Sequence, residues 1–187
     1  MNHFTKIADV DVGPLNAQLA AHPELWNRHG YRKAQKAHAG MSDIWLRYRD
    51  FRELDGPGKY REPHIPVWYP AWPVLTEAKP IILDLMTRVE GEMLCGVLIT
   101  KIPPGEGIKA HVDGGWHVEY TEKLYVCLES APGALFVCNE GQTEALNPKA
   151  GEVWLFDNRK NHWVENNSDR DRVTMIVCIR TEKYGRA

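Results

Sequence analysis

The spacing of apolar residues changes character near residue 91. Before it, the clearest pattern is Ile82, Leu85, Met86 and Val89, at i, i+3, i+4 and i+7. That is one apolar stripe of a helix, with Pro80 suited to its first turn and Gly91 to its end. From Glu92 onward the runs are short, apolar and rich in β-formers. Strands are expected at Leu94 to Ile102, Ile108 to Asp113, Lys123 to Glu129, Ala134 to Cys138, Val153 to Phe156, His162 to Glu165 and Arg172 to Arg180. Pro103-Pro104-Gly105, Gly114-Gly115, Pro132-Gly133, Gly141, Pro148 with Gly151, and Asn166-Asn167-Ser168-Asp169 separate them as turns. Many short strands at even spacing predict a sandwich or barrel. The fold class expected is mostly β with N-terminal helices, on a double-stranded β-helix core (a cupin-like jelly roll). Residues 1–187 are expected to form a single domain. Within it, 1–91 is a helical and loop part packed on the core, and 92–181 carries the main jelly-roll strands.

The N-terminal half is less regular. Asp11 is placed to cap a short helix with Pro14 in its first turn, running through Leu15, Leu19 and Ala20, and Pro23 ends or bends it. Arg28 to Gly40 reads as loop or short helix. Ile44-Trp45-Leu46-Arg47-Tyr48-Arg49 reads as a strand. From Arg52 to Pro73 come five prolines interleaved with Trp68, Tyr69 and Trp72. Such a stretch cannot be a regular helix or a central strand, so a long ordered loop is expected, of the kind that serves as a lid or binding loop.

Composition narrows the class. The chain has 187 residues and a formal net charge of −2, so nothing draws it in bulk to nucleic acid or an anionic membrane. No apolar run approaches the roughly 18 residues of a membrane helix, and the opening Met1-Asn2-His3-Phe4 does not read as a signal peptide. Cys95, Cys127, Cys138 and Cys178 form no CxxC pair and sit in apolar runs, as buried thiols in a reducing compartment do. A cytoplasmic protein is expected.

The chemistry begins at His111-Val112-Asp113. On a strand, residues two apart share a face, so both side chains offer ligands to one point. His162 follows His111 by 51 positions, room enough for the chain to cross a sandwich and return. Two His and one carboxylate bind one face of Fe(II) and leave positions open, the ligand set of non-haem oxygenases. Arg172 lies ten positions beyond His162, at the start of the last long strand. Facing inward with Thr174, Ile176 and Cys178, it can pair bidentately with the distal carboxylate of a 2-oxo acid. Two other readings use the same residues: a metal-dependent cupin hydrolase or isomerase, and a non-catalytic small-molecule binding module. The first of these leaves Arg172 without a task.

These motifs carry a family resemblance. Ile102-Pro103-Pro104-Gly105-Glu106-Gly107-Ile108-Lys109-Ala110-His111-Val112-Asp113-Gly114-Gly115, Gly151-Glu152-Val153-Trp154-Leu155-Phe156-Asp157-Asn158 and the run from His162 to Val173 resemble the aspartyl/asparaginyl β-hydroxylase-like branch of the Fe(II)/2-oxoglutarate-dependent dioxygenases. The resemblance implies His111, Asp113 and His162 as iron ligands and Arg172 as the 2-oxoglutarate anchor. It implies Fe(II), 2-oxoglutarate and O2 as cofactor and co-substrates, and hydroxylation of an unactivated C–H with release of succinate and CO2. It favours an amino-acid or peptide substrate, with no nucleic acid or membrane partner. Family members often carry Arg-x-His on the strand after the first motif; here the stretch reads Lys123-Leu124-Tyr125. Tyr125 is either a donor to the same carboxylate or a core tyrosine, and Lys123 on its face is a weaker candidate. Arg47, Trp116 and His117 are the candidate substrate contacts. Trp68 and Trp72 are assigned to packing, Trp154 and Phe156 to the core, and Asn158 to the turn before His162.

Overall fold

The computed structural model describes residues 3–32, 34, 36–50, 52 and 61–181. Among these described residues, eleven strands and three α-helices follow in order. They are β1 (Phe4–Asp9), α1 (Gly13–Ala21), β2 (Ser42–Tyr48), β3 (Val67–Trp68), α2 (Ala78–Arg88), β4 (Met93–Ile102), β5 (Gly107–His111), α3 (Trp116–Tyr120), β6 (Glu122–Glu129), β7 (Ala134–Glu140), β8 (Gln142–Leu146), β9 (Glu152–Phe156), β10 (His162–Asn166) and β11 (Arg172–Arg180). Short 3-10 turns at Pro23–Leu25 and Lys36–His38 complete the set.

The strands form two antiparallel sheets. The larger has the order β1-β9-β6-β11-β4-β2-β3 and the smaller β5-β10-β7-β8. The double-stranded β-helix expected from the strand spacing is the architecture found. One face of the larger sheet is covered by helices. Leu15 and Leu19 of α1 and Ile82 and Leu85 of α2 pack there with Val97, Leu124, Val126, Met175 and Val177. Phe4, Ile102, Phe136, Phe156 and Val164 fill the space between the sheets. Alternation along β6 and β11 serves both layers: Leu124, Val126, Met175 and Val177 go to the helices, while Lys123, Tyr125, Thr174 and Cys178 go inward.

The stripe on α2 holds, with Leu85 fully buried. The helix ends where Glu90 takes φ 54° and the Gly91 N–H returns to the Met86 carbonyl at 2.8 Å. A Cβ at Gly91 would lie 2.6 Å from Ile179 Cγ2, so only glycine lets this turn sit against β11.

Several expectations differ. The N-terminal part also supplies three strands to the larger sheet, β1 among them. β1 escapes notice in Phe4-Thr5-Lys6-Ile7-Ala8-Asp9 because it is an edge strand with mostly polar, exposed alternation. β8 has the same weak pattern. Asp11 does not cap α1: Val12 holds that position and Asp11 Oδ1 accepts the Gly13 N–H at 2.9 Å. Within the proline-rich stretch, Val67–Trp68 pairs as a two-residue edge strand with β2, while residues 51 and 53–60 lie outside those described.

Candidate active site

β5 ends at His111, so Asp113 stands just beyond the strand rather than on it. The two residues still converge, because the Asp113 N–H donates to the Asn158 carbonyl at 3.0 Å and turns the chain inward. β10 lies beside β5 and pairs His162 directly with His111. The two imidazole centroids are 4.4 Å apart. Ligand atoms of His111, Asp113 and His162 all fall within 4.8 Å of one another, a spacing that suits one metal ion.

The surroundings orient these ligands. His111 Nδ1 lies 2.7 Å from the Lys109 carbonyl, and His162 Nδ1 lies 2.8 Å from the Lys160 carbonyl. A carbonyl only accepts, so each Nδ1 carries the proton and each Nε2 is left to bind metal. Asp113 Oδ2 accepts from Lys123 Nζ at 2.5 Å and from Asn158 Nδ2 at 2.8 Å. Its other oxygen, Oδ1, faces His111 Nε2 at 3.2 Å. Burial would raise the Asp113 pKa, but the Lys123 ammonium, aided by His111, His162 and Asn158, holds it well below the usual range. Burial lowers His162 to about 4, which keeps the imidazole neutral and able to ligate. The ring of His162 is braced by Phe156 and Phe136, at centroid distances of 5.1 and 5.8 Å.

Two cavities flank this cluster along the inner face of β11. The smaller is lined by Tyr125, Cys127, Phe136, Trp154, Arg172 and Thr174. Arg172 is 4% exposed, yet among the described residues its Nε has no hydrogen-bond partner, and neither does the buried Thr174 Oγ1. A buried guanidinium with an open donor is costly unless an anion completes it. The donor set therefore suits the distal carboxylate of a 2-oxo acid, and the neighbouring ligand cluster suits the metal such an acid would chelate.

The larger cavity, about 350 Å³, is lined by His111, Asp113, Lys123, Ile176 and Cys178 on one side and by His38, Tyr48 and His117 on others. His117 therefore reaches the cavity, on α3 rather than in the glycine turn expected from the sequence. Trp116 stacks on Tyr120 at 4.5 Å and meets His64, behind that lining. Arg47 points elsewhere: its Nε donates to the Leu94 carbonyl and its guanidinium lies 4.4 Å from the Trp68 ring centroid. Trp68 in turn stacks on Trp72 at 4.0 Å. Sequence reasoning missed His38 and Arg32 as site residues, and the grip of Asn158 and Lys123 on Asp113. Thr174 and Lys123 did share readable faces with residues already singled out, Arg172 and Tyr125.

A family model described as aspartyl/asparaginyl beta-hydroxylase matches residues 71–181. The chain belongs to this family of Fe(II)/2-oxoglutarate-dependent oxygenases. The match holds every residue of the ligand cluster and of the Arg172 cavity. Solved structures agree on the fold. A 2OG-Fe(II) oxygenase family oxidoreductase from Burkholderia pseudomallei superposes with TM-score 0.58 at 14% identity, covering 97% of this chain and 98% of its own. A prolyl hydroxylase from Trichoplax adhaerens, in complex with a hypoxia inducible factor oxygen degradation domain peptide fragment, gives TM-score 0.64 at 14% identity over 98% and 86%. A Pseudomonas putida prolyl-4-hydroxylase gives 0.54 at 15% over 97% and 94%. No curated protein sequence matches the chain.

Proposed function

We propose that this oxygenase hydroxylates an unactivated C–H of an amino-acid side chain, free or in a peptide, with release of succinate and CO2. His111, Asp113 and His162 hold the iron, and Arg172, with Tyr125 and Thr174, receives the distal carboxylate of 2-oxoglutarate. The observation that carries the reading is the buried Arg172 Nε, without a hydrogen-bond partner among the described residues and next to a His/Asp/His cluster. A metal hydrolase would need the cluster alone. That one structurally similar protein is a prolyl hydroxylase with a peptide bound supports a side chain as the acceptor. The four cysteines are free and buried, which suits a reducing cytoplasm.

When bound, Fe(II) and 2-oxoglutarate supply O2 activation and the hydrogen abstraction from carbon. The protein's part is placement and electrostatics. His111 and His162 present Nε2 because backbone carbonyls occupy Nδ1. Lys123 and Asn158 occupy Asp113 Oδ2, so Oδ1 is the oxygen turned toward the ligand cluster. Arg172, with Tyr125 beside it, fixes one end of the co-substrate, and the walls of the larger cavity limit what approaches. No side chain need remove a proton from the substrate carbon.

The test is anaerobic addition of Fe(II) and 2-oxoglutarate to the folded protein, watching for the visible metal-to-ligand charge-transfer band. Its absence sinks the reading. In Arg172→Gln the band should need at least about tenfold more 2-oxoglutarate, as expected for losing a charge-assisted pair. Undiminished affinity in that variant would overturn the anchor assignment alone.

A further inference from the structure

Part of the wall of the larger cavity comes from outside the family match. Tyr31, Arg32, His38, Tyr48, Arg49 and His64 form it, all before residue 71. Its charge is one-sided. Among the described residues, three cations, Arg32, Arg49 and Lys123, line the cavity, against one carboxylate, Asp113. Asp113 is already engaged by Lys123, and the Arg49 guanidinium lies 3.8 Å from Glu62 at the rim. Arg32 is different: its buried Nη1 has no hydrogen-bond partner among the described residues. It is close enough to act electrostatically on His38, Tyr48 and Cys178, which line the same space.

A second feature is His117. Both of its ring nitrogens are buried without hydrogen-bond partners among the described residues. Gly96 makes its place: a Cβ there would lie 3.1 Å from His117 Nε2. Burial lowers its pKa to about 3, so it is a neutral imidazole offering one donor and one acceptor. An unmatched guanidinium and an unmatched imidazole in one cavity leave desolvated polar groups that a bound molecule would complete. At about 350 Å³ the cavity has room for an amino-acid-sized group.

We infer that Arg32 anchors a carboxylate of the substrate in this cavity while His117 hydrogen-bonds a second polar group of it, so that the acceptor of the hydroxylation is a small acidic molecule. The inference rests on the oxygenase reading for the position of the reacting carbon, but the anion seat stands on its own residues. The guanidinium fork matches carboxylate geometry, and it matches phosphate as well. The probes must therefore separate the two.

Anaerobic protein with Fe(II) and saturating 2-oxoglutarate is titrated with L-aspartate, L-glutamate, L-asparagine, L-glutamine and O-phospho-L-serine. Binding is followed by perturbation of the charge-transfer band and by calorimetry. At least one acid should bind about tenfold or more tighter than its own amide, the cost of losing a charge-assisted bond. Arg32→Gln should erase that preference and Arg32→Lys should keep part of it, both with 2-oxoglutarate affinity intact. Equal binding of acids and amides, no acid binding at millimolar concentration, or a preference that survives in Arg32→Gln overturns the inference. Tighter binding of O-phospho-L-serine than of either acid overturns the carboxylate assignment. A missing charge-transfer band is the failure of the oxygenase reading instead. Calorimetry with Zn(II) in place of Fe(II) then still decides the anion seat.

Discussion

At the residue scale, the proposed metal ligands depend on groups outside the ligand cluster. Asn158 grips Asp113 twice, through its carbonyl and through its amide. Its side chain is fully buried, so its loss leaves the carboxylate held by Lys123 alone on Oδ2. Asn158→Ala should weaken Fe(II) binding about tenfold or more, measured by competition with a chelator, since partners of metal ligands typically carry 10–100-fold. His117 gives a prediction of opposite character. Its folded pKa is depressed to about 3 by burial, against an ordinary value of 6.5. Between these values the unfolded chain binds a proton that the folded one does not, so stability falls as pH drops below 6.5. The metal-free protein should lose on the order of 1–2 kcal/mol through this group between pH 7 and pH 5. Urea midpoints for His117→Met should fall less steeply over that range; an unchanged slope would assign the acid sensitivity to other groups.

At the scale of elements, two antiparallel strands, β6 and β11, build the site. Their inward residues run in register, Lys123 opposite Cys178, Tyr125 opposite Ile176 and Cys127 opposite Thr174. One end of this double row lines the larger cavity, the other the Arg172 cavity. β1 contributes from a distance. Phe4 packs at 5.1 Å against both Phe136 and Phe156, the two rings that brace His162. Phe4→Ala should cost about 3–5 kcal/mol in urea unfolding, and it should lower metal affinity as well, because the brace behind His162 loosens. Full metal affinity in a folded Phe4→Ala protein would show that β1 serves stability only.

At the scale of the molecule, the helices and the larger sheet share one core, and the second core lies between the sheets. Because β1, β2 and β3 of the N-terminal part join the larger sheet, we propose that residues 1–187 unfold as one unit. Calorimetry of the metal-free protein should show a single transition. Metal that binds only the folded state should raise stability by about 2.7 kcal/mol at a free concentration one hundred times its dissociation constant. Two separated transitions would mean that the N-terminal part folds apart from the jelly roll.

The local code was strong wherever a periodic pattern and a covalent neighbour carried the information. The stripe on α2, the strands from β4 to β11 apart from β8, and the His111, Asp113, His162 and Arg172 spacings were all legible. Alternation even divided β11 correctly into an inward face and one packed on helices, because side-chain direction on a strand follows from backbone geometry alone. Edge strands β1 and β8 were not legible, since hydrogen bonds to a neighbour, not a hydrophobic face, make them strands. Arg47 and Arg32 show the same limit at the site. Both are arginines in the N-terminal half, and nothing local distinguishes them. Only the packing sends Arg47 to the Leu94 carbonyl and Trp68, and leaves Arg32 Nη1 without a hydrogen-bond partner among the described residues at the cavity. Which elements exist, and which ligands they offer, are set by short-range pattern. Which charges meet, and which remain open for a substrate, are set by contacts between residues far apart in the chain, and those exist only once it has folded.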